Sequence, residues 1–187
     1  MTNPIQDSNP FTIVYDALWA LARSNPELRK WVPEKNQIDY QKWIGPKKNI
    51  TDSDYPELSL TSESTFSNIR NTSTSTMVIK EYSWMVITGD YRIDDIFNQI
   101  SWELFRSMID WCNVLGSLTW KDKVFVVRAN FLTSSEGTLF QDLNKHINGW
   151  VITWPFEVEM HFQTSDLIPI KSDFGPHFTY TNPVVGT

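Results

Sequence analysis

Hydrophobic and polar residues alternate strictly through WVITWPFEVEMHF, from Trp150 to Phe162. Trp150, Ile152, Trp154, Phe156, Val158, Met160 and Phe162 fall on one face, and Val151, Thr153, Pro155, Glu157, Glu159 and His161 on the other. That is the period of a strand with one buried and one wet face. At roughly 3.4 Å per residue the stretch runs some 44 Å, far past the usual five or six residues. The length predicts that part of it projects, bends at Pro155 or pairs outside the domain. Pro155 has no N–H for a ladder, so a bulge or an edge position is expected there.

Helical spacing occurs twice. Near the start, Phe11, Val14, Leu18, Leu21 and Ala22 form an apolar stripe, with Asn9 as N-cap, Pro10 at the first helical position and Ser24-Asn25-Pro26 as the stop. The same punctuation opens a second short turn, Pro26 to Val32, with Arg29 and Lys30 on a solvated face. A stronger helix is capped by Asp94 or Asp95: Phe97, Ile100, Leu104, Met108 and Trp111 recur at spacings of three and four, flanked by Phe105, Ile109 and Cys112. Asn98, Gln99, Glu103, Arg106 and Asp110 take its wet side, where Arg106 can pair with Glu103 and Asp110.

Three further strands are predicted: Tyr55 to Leu60, Met77 to Thr88 and Lys123 to Leu132. The second reads as central, because Tyr82, Trp84 and Val86 on one face are matched by Met85 and Ile87 on the other. In the third, Phe125, Val127, Ala129 and Phe131 alternate with Val124, Val126, Arg128 and Asn130. Thr61 to Thr76 is mostly Ser, Thr and Asn, too polar to fold by itself, and predicts a long projecting loop or hairpin ordered by a neighbour. Thr133 to Gly149 reads as a polar excursion with a helical turn or two, since Leu139, Leu143 and Ile147 repeat every four residues and Gly149 can end it.

These elements predict an α+β fold: a two-layer sandwich in which two helices cover one face of a mostly antiparallel sheet of about four strands, leaving the other face polar and available. Residues 1–163 form a single domain carrying the projecting loop 61–76, and residues 164–187 an extended C-terminal arm. The arm contains Leu167, Ile168, Ile170, Phe174, Phe178 and Tyr180, which need a surface to dock on.

Composition changes this picture little. The 187 residues suit one domain, and nine Trp with eleven Phe exceed what a small core needs, which points to contacts between subunits. The net charge of −6 and the lack of a basic run argue against gripping nucleic acid. One cysteine, Cys112, excludes an intramolecular disulfide and reads as a buried thiol. No signal region or membrane span is evident, so the chain is expected to be soluble and not exported, and the sequons at Asn49 and Asn71 to be chance matches.

Candidate chemistry is sparse. His146, His161 and His177 have no metal-site spacing, so neither metal nor cofactor is implied. Glu157, Glu159 and His161 line up on one strand face, where they can present an acid, a base and a proton shuttle to a ligand. The same trio also describes any wet strand face. Edge strands, a Ser/Thr loop and an apolar arm favour an interaction protein over an enzyme, with Trp150, Trp154, Phe174, Phe178 and Tyr180 as candidate contacts to subunits or partners.

The opening helix FTIVYDALWALA, the YPELSL strand, the strand and helix EYSWMVITGDYRIDDIFNQISWELFRSMIDW and the closing VITWPFEVEMHF strand together resemble, in pattern and order, the tail terminator or tail-completion proteins of tailed bacteriophages. The resemblance implies a small α+β subunit, made in the host cytoplasm, that closes into a hexameric ring in the virion. Such a ring caps the tail tube and joins it to neck and connector proteins. DNA crosses its lumen without sequence-specific binding, and Glu157, Glu159 and His161 become candidate lumen-facing residues. Another neck, tail or baseplate component, or a small ligand-binding or hydrolytic domain using the same strand face, are the alternatives.

Overall fold

The computed structural model describes residues 9–39, 56–63, 66–88, 93–113, 116–132, 138–142 and 147–167. The chain opens with α1 (Pro10–Ser24), in which the Asn9 side chain accepts from the Thr12 N–H and Pro10 sits in the first turn, as capping chemistry requires. Its buried stripe is Val14, Tyr15, Leu18, Trp19 and Ala22, so two aromatic residues join the core and Phe11 and Leu21 sit at its margin. Asn25 ends α1 and caps α2 (Pro26–Trp31), accepting from the N–H groups of Glu27 and Leu28. Arg29 and Lys30 point into solvent.

One sheet dominates, with eight strands among the described residues in place of the four expected. Its order is β1-β2-β4-β8-β6-β5: β1 (Gln37–Ile38), β2 (Glu57–Ser62), β4 (Ser75–Thr88), β8 (Ile147–Gln163), β6 (Lys123–Phe131) and β5 (Gly116–Trp120). Off that path, β3 (Ser67–Asn71) pairs with β4 and β7 (Thr138–Asp142) with β8. The β1–β2 pair is parallel and the others antiparallel. Two-residue β1 escapes sequence reading because it has no room for a period.

The length of β8 is absorbed within the chain. Strand β4 runs beside it from Trp150 to Gln163, while β6 and β7 divide its other flank, taking Phe156–His161 and Ile147–Val151 respectively. The projection or external pairing expected for it is therefore corrected. Pro155 lies between those two partners, where the ladder changes strands, and its carbonyl accepts from the Leu132 N–H. The missing N–H thus falls at the change of partner between β6 and β7 and not within either register, which is how an otherwise central strand tolerates proline.

The polar tracts are also strands. Within Thr61 to Thr76, β3 folds back on β4, and the turn is held by bonds between Thr72 and Ser75. Its neighbour belongs to the same chain: the Thr164 N–H donates to the Thr74 carbonyl and the Thr164 hydroxyl to that of Thr72. Buried Lys80 donates its ammonium to the Glu63 carbonyl and sits 4.9 Å from the centre of the Phe11 ring, which stacks on Phe66. The Thr133–Gly149 excursion contains β7 where helical turns were expected, with Phe140 opposite Gly149. Leu139 lies in β7 and Ile147 opens β8, so the fourfold spacing does not belong to one helix. Strand β5 replaces the expected connection at Gly116, and the arm begins as a short helix, α5 (Thr164–Leu167).

Helix α3 (Ile93–Ser107) includes Asp94 and Asp95, so neither precedes it as a cap, and a turn at Met108 separates it from α4 (Ile109–Asn113). All five residues of its expected apolar stripe are buried. Glu103, expected on the wet side, is buried too, because α2 packs there. Trp84 and Trp154 are cross-strand partners on one sheet face; α1 places Trp19 edge-on against Trp84 (5.2 Å between centroids), and α3 places Phe97 against Trp154 (6.1 Å). Both helices therefore stand on that face. The core between them holds Leu58, Leu60, Tyr82, Trp84, Phe125, Phe156, Val158 and Met160.

Candidate functional site

Alternation along β8 places Phe156, Val158, Met160 and Phe162 in the core and turns Glu157, Glu159 and His161 to the opposite face, half-buried. Trp150, Ile152 and Trp154, expected in the same core row, are only partly buried. They pack against the core without being enclosed by it, on the stretch of β8 beyond Phe156, the last residue that β6 pairs with there, a fact of placement that alternation does not carry.

Strand register assembles the face. Glu157 stands between Glu81 of β4 and Asn130 of β6, Glu159 between Ile79 and Arg128, and His161 between Met77 and Val126. Both oxygens of Glu159 are engaged: Oε1 accepts from Asn130 Nδ2 at 2.9 Å, and Oε2 lies 3.3 Å from His161 Nε2. Glu81 and Glu157 are like charges directly across the ladder, an arrangement that normally destabilises a sheet. The row therefore carries three carboxylates on two adjacent strands. Alternation in β6 sets Arg128 and Asn130 opposite the apolar row Phe125, Val127, Ala129 and Phe131, and Glu81 stands in the same relation to Tyr82 and Trp84 of β4.

The face is less polar than expected. Met77, Ile79, Met85, Ile87 and Val151 share it, and Ile79 is buried. Among the described residues no three His, Cys, Asp or Glu side chains converge as a metal site. His146 and His177, and the candidate contacts Phe174, Phe178 and Tyr180, lie outside the described residues.

A second feature lies on the helix side. Trp102, Phe105, Phe131, Leu132 and Trp154, with Asn98 and Ser101, line an open groove of about 430 Å³ between α3, the end of β6 and the middle of β8. A series of ring contacts links it to the core: Trp102 to Phe105 at 5.8 Å, Phe105 to Phe131 at 5.7 Å and Phe131 to Phe156 at 5.6 Å. Phe156 and Trp154 share a face of β8, and Glu157 and Glu159 occupy the other, so the groove and the carboxylates lie on opposite sides of the sheet. The acids and the concave space do not form one pocket. Cys112 is half-buried, and burial pushes its thiol above its ordinary range, partly offset by the charge of Arg128.

The fold and these two surfaces define an α+β protein built on one mixed sheet, with a carboxylate row on one side and an aromatic groove on the other. No known family model matches the chain, and no curated protein matches it. No helix among the described residues is long and apolar enough to cross a membrane.

Proposed function

We propose that the chain is a structural subunit of a tailed-phage virion, of the tail-terminator kind. In this reading it joins copies of itself into a ring, hexameric as in the family it resembles, between the tail tube and the neck. The observation that carries the reading is the row Glu81, Glu157 and Glu159, held on one sheet face by the β4–β8 register. A ring with that face turned inward presents a carboxylate wall to DNA, and like charge at the wall lets the duplex pass without sticking. The Glu81–Glu157 juxtaposition costs stability in the monomer, which suits a surface kept for its charge.

Light scattering in solution with negative-stain imaging tests the assembly: closed rings are expected, and a monomer at every concentration overturns the proposal. A Glu157→Lys/Glu159→Lys double variant tests the wall. It is expected to form the same rings but to retain duplex DNA at low salt, where the wild-type chain releases it. The competing reading, a small ligand-binding or hydrolytic domain, has the His161–Glu159 contact in its favour. A persistent monomer whose ligand binding is lost on His161→Ala would support it.

A further inference from the structure

Lys80 puts a charge on the core face of β4. It shares the row of Val78, Tyr82, Trp84 and Val86, lies across from fully buried Val158 of β8 and is itself only 7% exposed. Taking an ammonium out of water costs stability unless a carboxylate or several acceptors replace the lost hydration. Lys80 has one neutral acceptor, the Glu63 carbonyl, and the face of the Phe11 ring at 4.9 Å. The ion pairs among the described residues do not include it. Burial accordingly holds its ammonium below the usual lysine range, and the Glu63 carboxylate offsets only part of that effect.

The residue stands where β4 changes partner. On the flank away from β8, β2 pairs as far as Ser62 with Tyr82, and β3 takes over from Ser67 with Ile79, so neither strand has a residue aligned with Lys80. Strand β3 is lightly held: it has five residues, no strand on its outer side among the described residues, and a register shift between Ser67 and Ile69. At its root, Phe66 is 45% exposed and rests on Phe11, which the Tyr82 hydroxyl fixes to β4 through its carbonyl. Lifting that root from Phe11 returns the Lys80 ammonium to water through the break between β2 and β3.

We propose that the β3 hairpin is a strap that opens from β4 while the rest of the sheet stays folded, and that the charge of Lys80 beneath its root favours the opening. The β3–β4 ladder and the Thr72–Ser75 turn keep the strap closed most of the time, and hydration of the ammonium lowers the cost of releasing them. Opening uncovers the edge of β4 from Thr76 to Ile79, whose backbone groups are then free to pair with another extended segment. The device is contained in one chain and does not depend on the ring reading.

Native-state hydrogen exchange of the full-length chain, read by mass spectrometry on peptides from β3 and from the centre of β8, tests it. Residues 67–71 are expected to exchange with little dependence on added denaturant, as a local opening does. Residues 156–161, enclosed by β4 and β6, are expected to follow global unfolding. Lys80→Met keeps an unbranched side chain without the charge, and is expected to slow exchange of residues 67–71 roughly tenfold. Should that variant misfold, Lys80→Gln replaces it with the same expected direction. Lys30→Met, which removes an exposed lysine on α2, is expected to leave the rate unchanged. Equal denaturant dependence of the two peptides, a rate that holds or rises when Lys80 is neutralised, or equal slowing by Lys30→Met would each overturn the inference.

Discussion

The Asn25 amide Nδ2 lies 3.0 Å from the buried Glu103 carboxylate oxygen Oε2, so the residue that divides α1 from α2 also fastens that corner to α3. The same amide donates to the Glu103 carbonyl and the Ser107 hydroxyl, while its Oδ1 caps α2. Asn25→Ala removes a cap and a donor to a buried carboxylate together, although Arg106 still bonds Glu103. The expected loss is about 2 kcal/mol in urea unfolding. Asn25→Asp keeps the cap but sets a second carboxylate against Glu103, and is expected to destabilise at least as much. A variant as stable as wild type would show that the link carries no energy.

Gly116 begins β5 where no side chain fits. A Cβ there would stand 2.7 Å from Trp111 Nε1 and 2.8 Å from its Cδ1, and Trp111 is itself buried. Gly116→Ala must displace the indole or the strand. A loss of about 1–3 kcal/mol is expected, read as a lower denaturation midpoint with the slope unchanged.

The β5–β6 hairpin turns through Lys121 and Asp122, at φ 48° and 62°. Side chains rarely adopt such backbone, and Asn-Gly serves two-residue hairpin turns better. Replacing the pair by Lys121→Asn and Asp122→Gly is expected to stabilise the protein by about 1 kcal/mol. Loss of the Lys121 ammonium, 5.2 Å from the centre of the Trp120 ring, offsets part of that gain, by about 0.5 kcal/mol. An unchanged or lower melting temperature would count against strain at this turn.

Burial raises the Tyr82 phenol well above its usual value, with its hydroxyl donating to the Phe11 carbonyl. The folded state therefore keeps a proton that the unfolded chain releases above about pH 10, and stability from this group is lost as pH rises past that point. Cys112, also raised by burial, acts in the same sense from a lower pH. Lys80, lowered by burial and partly restored by Glu63, acts oppositely. The difference between wild type and Tyr82→Phe isolates the phenol: the variant is expected to lose less stability between pH 9 and 11 in denaturant titrations.

The order of the two main helices and of strands β2, β4, β6 and β8, the buried face of α3 and the inward and outward sides of β8 were legible in the sequence, because they depend on periodicity within one segment. Phe97, Ile100, Leu104, Met108 and Trp111 needed only their spacing to be placed in the core. Five residues with one or two apolar side chains, SNIRN in β3 and TLFQD in β7, carry no readable period, so these strands became visible only through the ladders of β4 and β8. Register between distant strands likewise belongs to the tertiary structure: it put Glu81 beside Glu157 and Asn130 within reach of Glu159. The burial of Glu103 was decided by α2 packing against α3, and the partial burial of Trp150 and Trp154 goes with their place beyond the last β6 pair, Phe131 with Phe156. A strand's own sequence determines which residues share a face; only neighbours brought from elsewhere in the chain decide what that face meets.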